Sequence, residues 1–280
     1  LLTSAQYVCT TWRGISRDPS MWRHVDMLIP EDPPVPLDYV SLCRLAVDLS
    51  QGGLVGIAIS HFANDDLLLY ISERGSQLKR LELVSCYNLS GEALATVASK
   101  VPLLEELEFS YCNALVETVE VFGRCCPLLK TFKLNRTGHI TWYTDVWEDG
   151  EAQAIARNMP GLVKLQILGN RLTNVGLEAI TDACPHLDSL DLRRCFNLDL
   201  RGELGKMCAG RIKDLRLPYY PTDDYPFNSE LGYFDEDGYF DSDGLVDSDV
   251  HLEFSGPSDD DSYDDFTVED LGYDDIFPWN

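Results

Sequence analysis

The sequence predicts an α/β solenoid, in which a curved parallel sheet lies inside a row of helices. Three observations predict this fold class: one apolar pattern recurs six times, a proline stands two residues before four of the six units, and a short helical unit precedes them all. The units start 26, 25, 33, 25 and 25 residues apart, at Leu78, Leu104, Leu129, Leu162, Leu187 and Ile212. Self-similarity at such a period indicates stacked repeats.

The first half of each unit is typical of a short strand. Apolar residues stand three and five positions after the first residue, as Leu81 and Leu83 do after Leu78. Period-two alternation sends both side chains to one face of a sheet. Three residues later, where the chain leaves the sheet, a polar group can satisfy free backbone groups; these positions are Cys86, Cys112, Thr137, Asn170, Cys195 and Tyr220. The pattern L-x-x-L-x-L-x-x-C/N is typical of leucine-rich repeats.

The second half of each unit has the spacing of an amphipathic helix. Apolar residues line one face of the predicted helix in two well-formed examples, which are Ala93, Val97 and Ala98 in one unit and Val175, Leu177, Ile180 and Cys184 in another. Proline cannot continue a helix and therefore ends it before the next strand; these prolines are Pro102, Pro127, Pro160 and Pro185.

The pattern also extends upstream of Leu78. Leu45, Val47 and Leu49 alternate like a strand, with residues 54–74 as its helical half, and an earlier strand is expected within residues 22–27. A stack of repeats must cap its open ends. The N-terminal helical piece is expected to cap one end, and residues suited to the other end are Tyr219, Tyr220 and Phe227.

The front of the chain reads as a helix followed by a turn. Val8, Cys9, Trp12 and Ile15 have helical spacing, and the sequence from Asp18 to Ser20 is a turn. Four prolines then mark a linker. The predicted domains are a helical unit at 1–27, the linker at 28–40, the solenoid at 41–218 and an acidic aromatic tail at 219–280.

The cysteine-type repeats, best seen from Leu162 to Asn197, resemble those of the F-box/leucine-rich-repeat family, and most closely its plant branch. The front of the chain is similar to the second half of an F-box, with V-C-x-x-W-R from Val8 and D-P-S-x-W-R from Asp18. The Leu-Pro-rich first helix of that unit does not occur in the sequence, so we expect a truncated F-box. The resemblance implies docking on a Skp-type adaptor, and through it on a cullin, by Val8, Cys9, Trp12, Arg13 and Trp22.

The family resemblance implies a substrate-recognition subunit of an SCF ubiquitin ligase, whose repeats hold an unidentified target protein. The alternative hypothesis is a protein-binding scaffold that has lost adaptor binding together with the missing half of its F-box. Both hypotheses predict target binding, and only the first predicts adaptor binding. The chain by itself is expected to be monomeric.

Target-binding candidates come from the outward residues of the strands, which line the concave face of a solenoid. The first outward row is Glu82, Glu108, Lys133, Gln166, Asp191 and Arg216, and the second is Val84, Ser110, Asn135, Leu168, Arg193 and Pro218. Both rows mix charged, polar and apolar types, so they indicate no ligand class. For any single residue we expect a solvated position.

The third unit is about eight residues longer than its neighbours. Its extra residues fall within 138–150, and insertions in repeats form loops that often lie on the binding side. Exposed aromatic side chains make good interface anchors, and this loop holds Trp142, Tyr143 and Trp147. The alternative, which we favour slightly, is that these rings pack over neighbouring helices.

The acidity of the chain is concentrated in its tail. The formal net charge is −25, and 20 of the 47 acidic residues lie from Pro218 onward, without a single Lys or Arg. Such charge density predicts disorder, although the 14 aromatic residues from Tyr219 onward also suit binding to basic partners. Because no basic face is evident, we expect no nucleic-acid or membrane binding.

Composition and motifs exclude several other functions. The N-terminus lacks the features of a signal peptide, and the longest apolar run is only residues 67–71, so we expect a soluble protein of the cytoplasm or nucleus. The nine cysteines predict reduced, buried thiols. There is no zinc motif, phosphate loop, nucleophile elbow or EF-hand loop, so we expect no cofactor, no metal site and no enzymatic activity.

Overall fold

The computed structural model describes residues 8–29, 37–136 and 149–225. Eight parallel strands form one sheet in chain order. They are β1 (His24–Met27), β2 (Gly56–Ile59), β3 (Arg80–Val84), β4 (Glu106–Ser110), β5 (Thr131–Asn135), β6 (Lys164–Gln166), β7 (Ser189–Asp191) and β8 (Asp214–Arg216). Each strand therefore neighbours its predecessor, as in a solenoid, and the predicted fold class is confirmed.

Eight helices connect the strands and precede the sheet. They are α1 (Thr10–Ser16), α2 (Tyr39–Leu49), α3 (Asp65–Arg74), α4 (Gly91–Lys100), α5 (Val116–Cys125), α6 (Gly150–Asn158), α7 (Asn174–Ala183) and α8 (Glu203–Arg211), with a 3₁₀ turn at Pro19–Trp22. Among these described helices, none is long and apolar enough to cross a membrane.

The register of the sheet follows the leucine pattern. Leu81 pairs with Leu107, Leu107 pairs with Phe132, and the row continues through β6 to β8. Upstream, the same row extends to Ile57 in β2 and Val25 in β1. Because this row is buried except for the partly buried Leu215, the first inward apolar residue of each strand sets the position of every strand in the stack.

Two predicted elements are wrong: residues 45–49 form the end of helix α2, not a strand, and residues 56–59, inside the predicted helical half 54–74, form strand β2. Cys43, Ala46 and Val47 are buried at helical spacing, whereas Leu45 is 42 % exposed. Asp38 caps the helix by accepting a hydrogen bond from the Ser41 amide at 2.9 Å. The strand of this unit is β2, and its helical half is α3. The short run of Leu45, Val47 and Leu49 fitted both the strand period and the helix period, and the observed burial is that of a helix.

The position before the repeat cysteine or asparagine adopts left-handed backbone geometry. Its φ is +53° at Ser85, +56° at Tyr111, +67° at Gly169 and +62° at Arg194. This conformation turns the chain sharply off the sheet, and it is strained for all of these residues except glycine.

The cysteine that follows this turn ties one repeat to the one before it. The Cys112 thiol donates to the Leu83 carbonyl at 3.2 Å, and the Cys195 thiol donates to the Ile167 carbonyl at 2.9 Å. The predicted role of these cysteines as buried partners of backbone groups is confirmed. All cysteines among the described residues are free thiols, but the prediction of burial is wrong for Cys9, which is exposed, and for Cys125, which is half-buried.

Candidate interaction surfaces

The first candidate surface is the N-terminal helix α1 with its flanking residues. Trp12 is 52 % exposed and Ile15 is 50 % exposed on neighbouring turns of the helix, and Val8, which precedes its N-cap, is 65 % exposed. Cys9 is the N-cap, since its sulfur accepts a hydrogen bond from the Trp12 amide at 3.5 Å. Arg13 is exposed as well. Four of the five predicted adaptor-binding residues therefore lie together at the surface.

Trp22 does not belong to this surface. It is only 6 % exposed, within the hydrophobic core that also contains Val25. Its indole Nε1 donates to the Ser16 carbonyl at 2.8 Å, which ties the end of α1 to the first strand of the sheet. The prediction that Trp22 contacts an adaptor is therefore not supported, because an indole packed inside the core has little surface left for a partner. Sequence alone could not separate the two tryptophans.

The second candidate surface is the concave face of the sheet. The predicted first row is in register from Glu82 through to Arg216. The expectation that its members are solvated is wrong for three of them, because Glu82, Glu108 and Asp191 are buried. Each has a charged partner: Arg80 contacts Glu82, Lys133 Nζ lies 2.7 Å from Glu108, and Arg193 Nη2 lies 2.7 Å from Asp191. Gln166 is half-buried.

The second row is buried from end to end. Its members Val84, Ser110, Asn135, Leu168, Arg193 and Pro218 are all largely excluded from solvent. The Arg193 side chain is only 4 % exposed. Its Nε donates to both carboxylate oxygens of Asp191, at 3.0 and 3.1 Å. Burial of Arg193 and of the polar Ser110 and Asn135 on a face that ought to be open implies that something covers this part of the row.

A segment of the chain that follows β8 covers the face between β4 and β8. Residues 221–225, which we call the return segment, run back across the concave face. The Pro221 carbonyl accepts a hydrogen bond from Arg193 Nη1 at 2.8 Å, and the Asp224 carboxylate contacts both Arg193 and Arg216. At the far end, the Tyr225 hydroxyl lies 3.3 Å from Ser110 Oγ in β4.

The return segment fills the face with one charged and one aromatic contact. Arg193 and Arg216 hold the pKa of Asp224 well below its usual value, at about 2. The Tyr225 ring stands edge-on to the Tyr111 ring, with centroids 6.4 Å apart. Burial raises the pKa of the Tyr225 hydroxyl, and it raises the pKa of Tyr111 to about 12.

The first seven residues of the predicted tail lie against the repeats, although Tyr219, Pro221, Asp223 and Asp224 are still exposed to solvent as expected. Tyr219 lies 5.5 Å from the Phe196 ring, and Tyr220 packs against the core at the C-terminal end, as the sequence predicted. Phe227, the third residue proposed for that end, lies outside the described residues. Sequence reasoning missed Asp224 and Tyr225, because nothing in their local pattern distinguishes them from the acidic residues that follow.

The predicted aromatic loop residues Trp142, Tyr143 and Trp147 lie outside the described residues. The two ends of that insertion are well anchored. Arg136 donates to the Cys112 carbonyl at 2.8 Å, and Asp149 accepts from the amide and the hydroxyl of Thr173 at 2.8 and 2.7 Å. The described residues on either side of the insertion are therefore held in place by side-chain hydrogen bonds.

The structure also shows what the buried thiols are suited to. Burial raises the pKa of Cys43 and of Cys126 to about 12, and that of Cys184 to about 11. Such thiols stay protonated near neutral pH and pack like small apolar side chains. Within residues 8–29, 37–136 and 149–225, no group of three or more His, Cys, Asp or Glu side chains is arranged to hold a metal ion.

The chain forms a parallel sheet from L-x-x-L-x-L units, with helices outside the sheet and buried cysteines that bond to the preceding repeat. These features define it as a leucine-rich-repeat protein. Three curated proteins of Arabidopsis thaliana are similar to it. Putative F-box/LRR-repeat protein 23 is 50 % identical over 78 % of this chain and 49 % of its own length. F-box protein SKIP19 is 44 % identical over 82 % of this chain and 74 % of its own length. Putative F-box/LRR-repeat protein 21 is 42 % identical over 81 % and 78 %.

The chain therefore belongs to the plant F-box/leucine-rich-repeat family, and it spans about half the length of the first of these relatives. No protein-family model matches the sequence. Solved structures give weaker likenesses. A yeast complex of Rad7 and Elc1 has a TM-score of 0.48 at 20 % identity, covering 64 % of this chain and 46 % of that one. LegL7 of Legionella pneumophila has a TM-score of 0.34 at 12 % identity, covering 63 % and 68 %.

Proposed function

We propose that this chain is the substrate-recognition subunit of an SCF-type cullin–RING ubiquitin ligase, with a Skp-type adaptor docked at α1 and a target protein held by the repeats. The observation that carries the proposal is the exposed apolar group around Trp12. Trp12 and Ile15 leave about half of their surface in water, whereas Trp22, which follows the same helix, is only 6 % exposed. Exposed apolar groups of this kind mark interaction sites.

The position of this surface suits a docking role. The Trp22 indole fastens the end of α1 to the first strand, so a partner bound to Trp12 is held at the N-terminal end of the solenoid. The concave face of β4 to β8 lies further along the same sheet. A rigid stack that binds an adaptor at one end and a target on its inner face fixes the distance between the two partners. In this role the chain supplies position and no chemistry, and it acts in the cytoplasm or nucleus.

Calorimetric titration with a purified Skp-type adaptor tests the proposal. We expect binding, and we expect Trp12→Ala to weaken it by about 30-fold or more, because a central tryptophan at an interface is worth about 2 kcal/mol or more. The matched control is Tyr87→Ala, which removes a 50 % exposed aromatic side chain at the turn after β3. That control should bind the adaptor as the unchanged chain does.

Absence of heat from the well-folded chain would contradict adaptor binding and favour the scaffold hypothesis. Equal losses in the Trp12→Ala and Tyr87→Ala variants would also contradict the proposal, because they would show that binding does not depend on the α1 surface. Circular dichroism of each variant establishes that the fold is unchanged.

A further inference from the structure

The return segment occupies the inner face as a ligand would. It belongs to none of the eight strands, and its side-chain contacts with the sheet come from two adjacent residues, Asp224 and Tyr225. The Asp224 carboxylate lies at Arg193 and Arg216, and the Tyr225 ring reaches Ser110 and Tyr111 at β4, four strands from β8. The sheet thus offers two separate subsites for one short stretch of chain.

We infer that the concave face of β4 to β8 is a recognition site for a peptide that carries an aspartate followed by a tyrosine, and that the return segment is its resident occupant. A target protein presents the same acidic-aromatic chemistry and binds by displacing that segment. This inference rests on the proposed function. It adds the chemical class of the target segment that the repeats recognise.

The charged subsite is built to hold one carboxylate. The Nε and Nη2 atoms of Arg193 donate to Asp191. Its Nη1 donates to the Pro221 carbonyl and to the Asp224 carboxylate. Arg216 reaches the other oxygen of the same Asp224 carboxylate with its own Nη1. Two guanidinium groups that share one carboxylate fix its place more firmly than a single flexible cation does.

The aromatic subsite selects a ring that carries a hydroxyl. Ser110 Oγ donates to Glu108 Oε1 at 2.7 Å and accepts from Asn135 Nδ2 at 2.8 Å. Because the single Ser110 proton is already used, Tyr225 acts as the donor in its 3.3 Å contact with Ser110. Phenylalanine would keep the ring contact with Tyr111 and lose this hydrogen bond.

One buried acceptor beside this subsite has no partner within the described part of the chain. It is Oδ1 of Asn135, a residue that is 1 % exposed and lies next to Ser110 in the register of the sheet. A buried amide oxygen without a partner is costly. A donor from a bound peptide would satisfy it, so this acceptor points to a longer ligand than the return segment alone.

The occupant is held loosely enough to be exchanged. The Asp224 side chain is 54 % exposed, and partly exposed ion pairs contribute little to affinity. The segment stays bound because it is tethered to β8, which gives it an effective concentration on the order of millimolar. A free peptide of equal intrinsic affinity must compete with that tether, whereas a target with additional contacts can overcome it.

Fluorescence anisotropy with a labelled peptide of residues 219–229 of this chain tests the inference. The receptor is the full chain with Asp224→Ala and Tyr225→Ala, which empties the site in cis. We expect this receptor to bind the peptide at least about tenfold more tightly than the unchanged chain does, since the tethered competitor is gone. Adding Arg216→Gln to the receptor should weaken binding again, as should replacing aspartate by asparagine at position 224 of the peptide.

A second receptor carries the same two substitutions and ends at residue 225, which retains every strand and helix described. If only this shorter receptor binds the peptide, later acidic-aromatic residues of the tail occupy the emptied site, which supports the assigned chemistry. Failure of both receptors to bind, or binding that ignores Arg216→Gln, would overturn the inference. Neither result depends on adaptor binding, so the two proposals fail separately.

Discussion

The two candidate surfaces differ in polarity and in whether another part of the chain covers them. The α1 surface is apolar and uncovered, with Trp12 and Ile15 about half exposed. The concave face of β4 to β8 is charged and polar, and the return segment covers it from Arg216 to Ser110. Apolar groups left in water carry a free-energy cost that a partner removes. The polar groups of the concave face already bond to the return segment. A partner therefore adds less binding free energy there, and that segment must leave first.

This difference suggests a constitutive contact at one end and a conditional contact on the inner face. A permanent adaptor would bind α1 without rearrangement of the repeats. A target would bind the concave face only where it competes successfully with residues 221–225.

The two N-terminal tryptophans should separate stability from binding most clearly. Trp22→Ala removes an indole that is 6 % exposed and bonded to the Ser16 carbonyl. We expect it to lower the free energy of unfolding by about 3–5 kcal/mol, as for other buried aromatic residues. Trp12→Ala removes a half-exposed indole and should change that free energy by less than about 0.5 kcal/mol. Urea denaturation followed by circular dichroism measures both, and similar losses would mean that α1 is part of the core.

The buried ion pair beneath the return segment should give the next largest effect. Arg193→Met leaves Asp191 buried without its bidentate partner, which we expect to cost about 3 kcal/mol. The control Lys213→Met breaks an exposed pair with Asp188 and should cost less than about 0.5 kcal/mol.

A double variant, Asp191→Leu with Arg193→Met, sharpens the result for this pair. It should recover most of the stability that Arg193→Met loses, because an apolar pair of similar volume leaves no buried charge unpaired. Denaturant titration of the two single variants and the double variant gives the comparison. If the double variant is no more stable than Arg193→Met, the loss comes from packing and not from the stranded carboxylate.

Acid should release the return segment from the concave face. The pKa of Asp224 falls from 3.8 to about 2 when its carboxylate meets Arg193 and Arg216. A depressed pKa means that the contact is fully present above about pH 4 and is lost as the pH falls towards 2. Ring-carbon shifts of Tyr225 in a chain with labelled tyrosines report its release. In Asp224→Asn the shift should already be at the released position at pH 7, and an acid-induced shift of the same size in that variant would contradict the assignment.

The strained turn position should give the smallest effect, and its sign should differ between the two halves of the sheet. Ser85→Gly removes left-handed strain at a turn that the return segment does not contact, and Gly169 shows that glycine fits the equivalent turn. We expect a gain of up to about 1 kcal/mol. Tyr111→Gly relieves the same strain but removes the ring that meets Tyr225, so it should lower stability. Thermal unfolding measures the stability of both variants. Higher stability in both would mean that the Tyr111 ring contributes nothing to stability.

Sequence reasoning succeeded where one residue type has one place in the repeat. The leucines at 81, 107, 165 and 190 align across neighbouring strands as expected, because the period of two admits one register with the apolar face inward. It failed at residues 45–49, because five residues are too few to distinguish the period of a strand from that of a helix. The buried side of α2 shows that they are helical. It also placed Trp12 and Trp22 on one surface, although only contact with the core tells them apart.

The sequence by itself determined the repeat, the order of its strands and the family to which the chain belongs, because these follow from short-range periodicity that every unit restates. Only the tertiary structure decided which side chains remain available to a partner. Curvature brings the residues after β8 back over β4, so that Tyr225 meets Ser110 across 115 positions of sequence. Contacts at such separation depend on the closing geometry of the whole stack, and no local pattern encodes them.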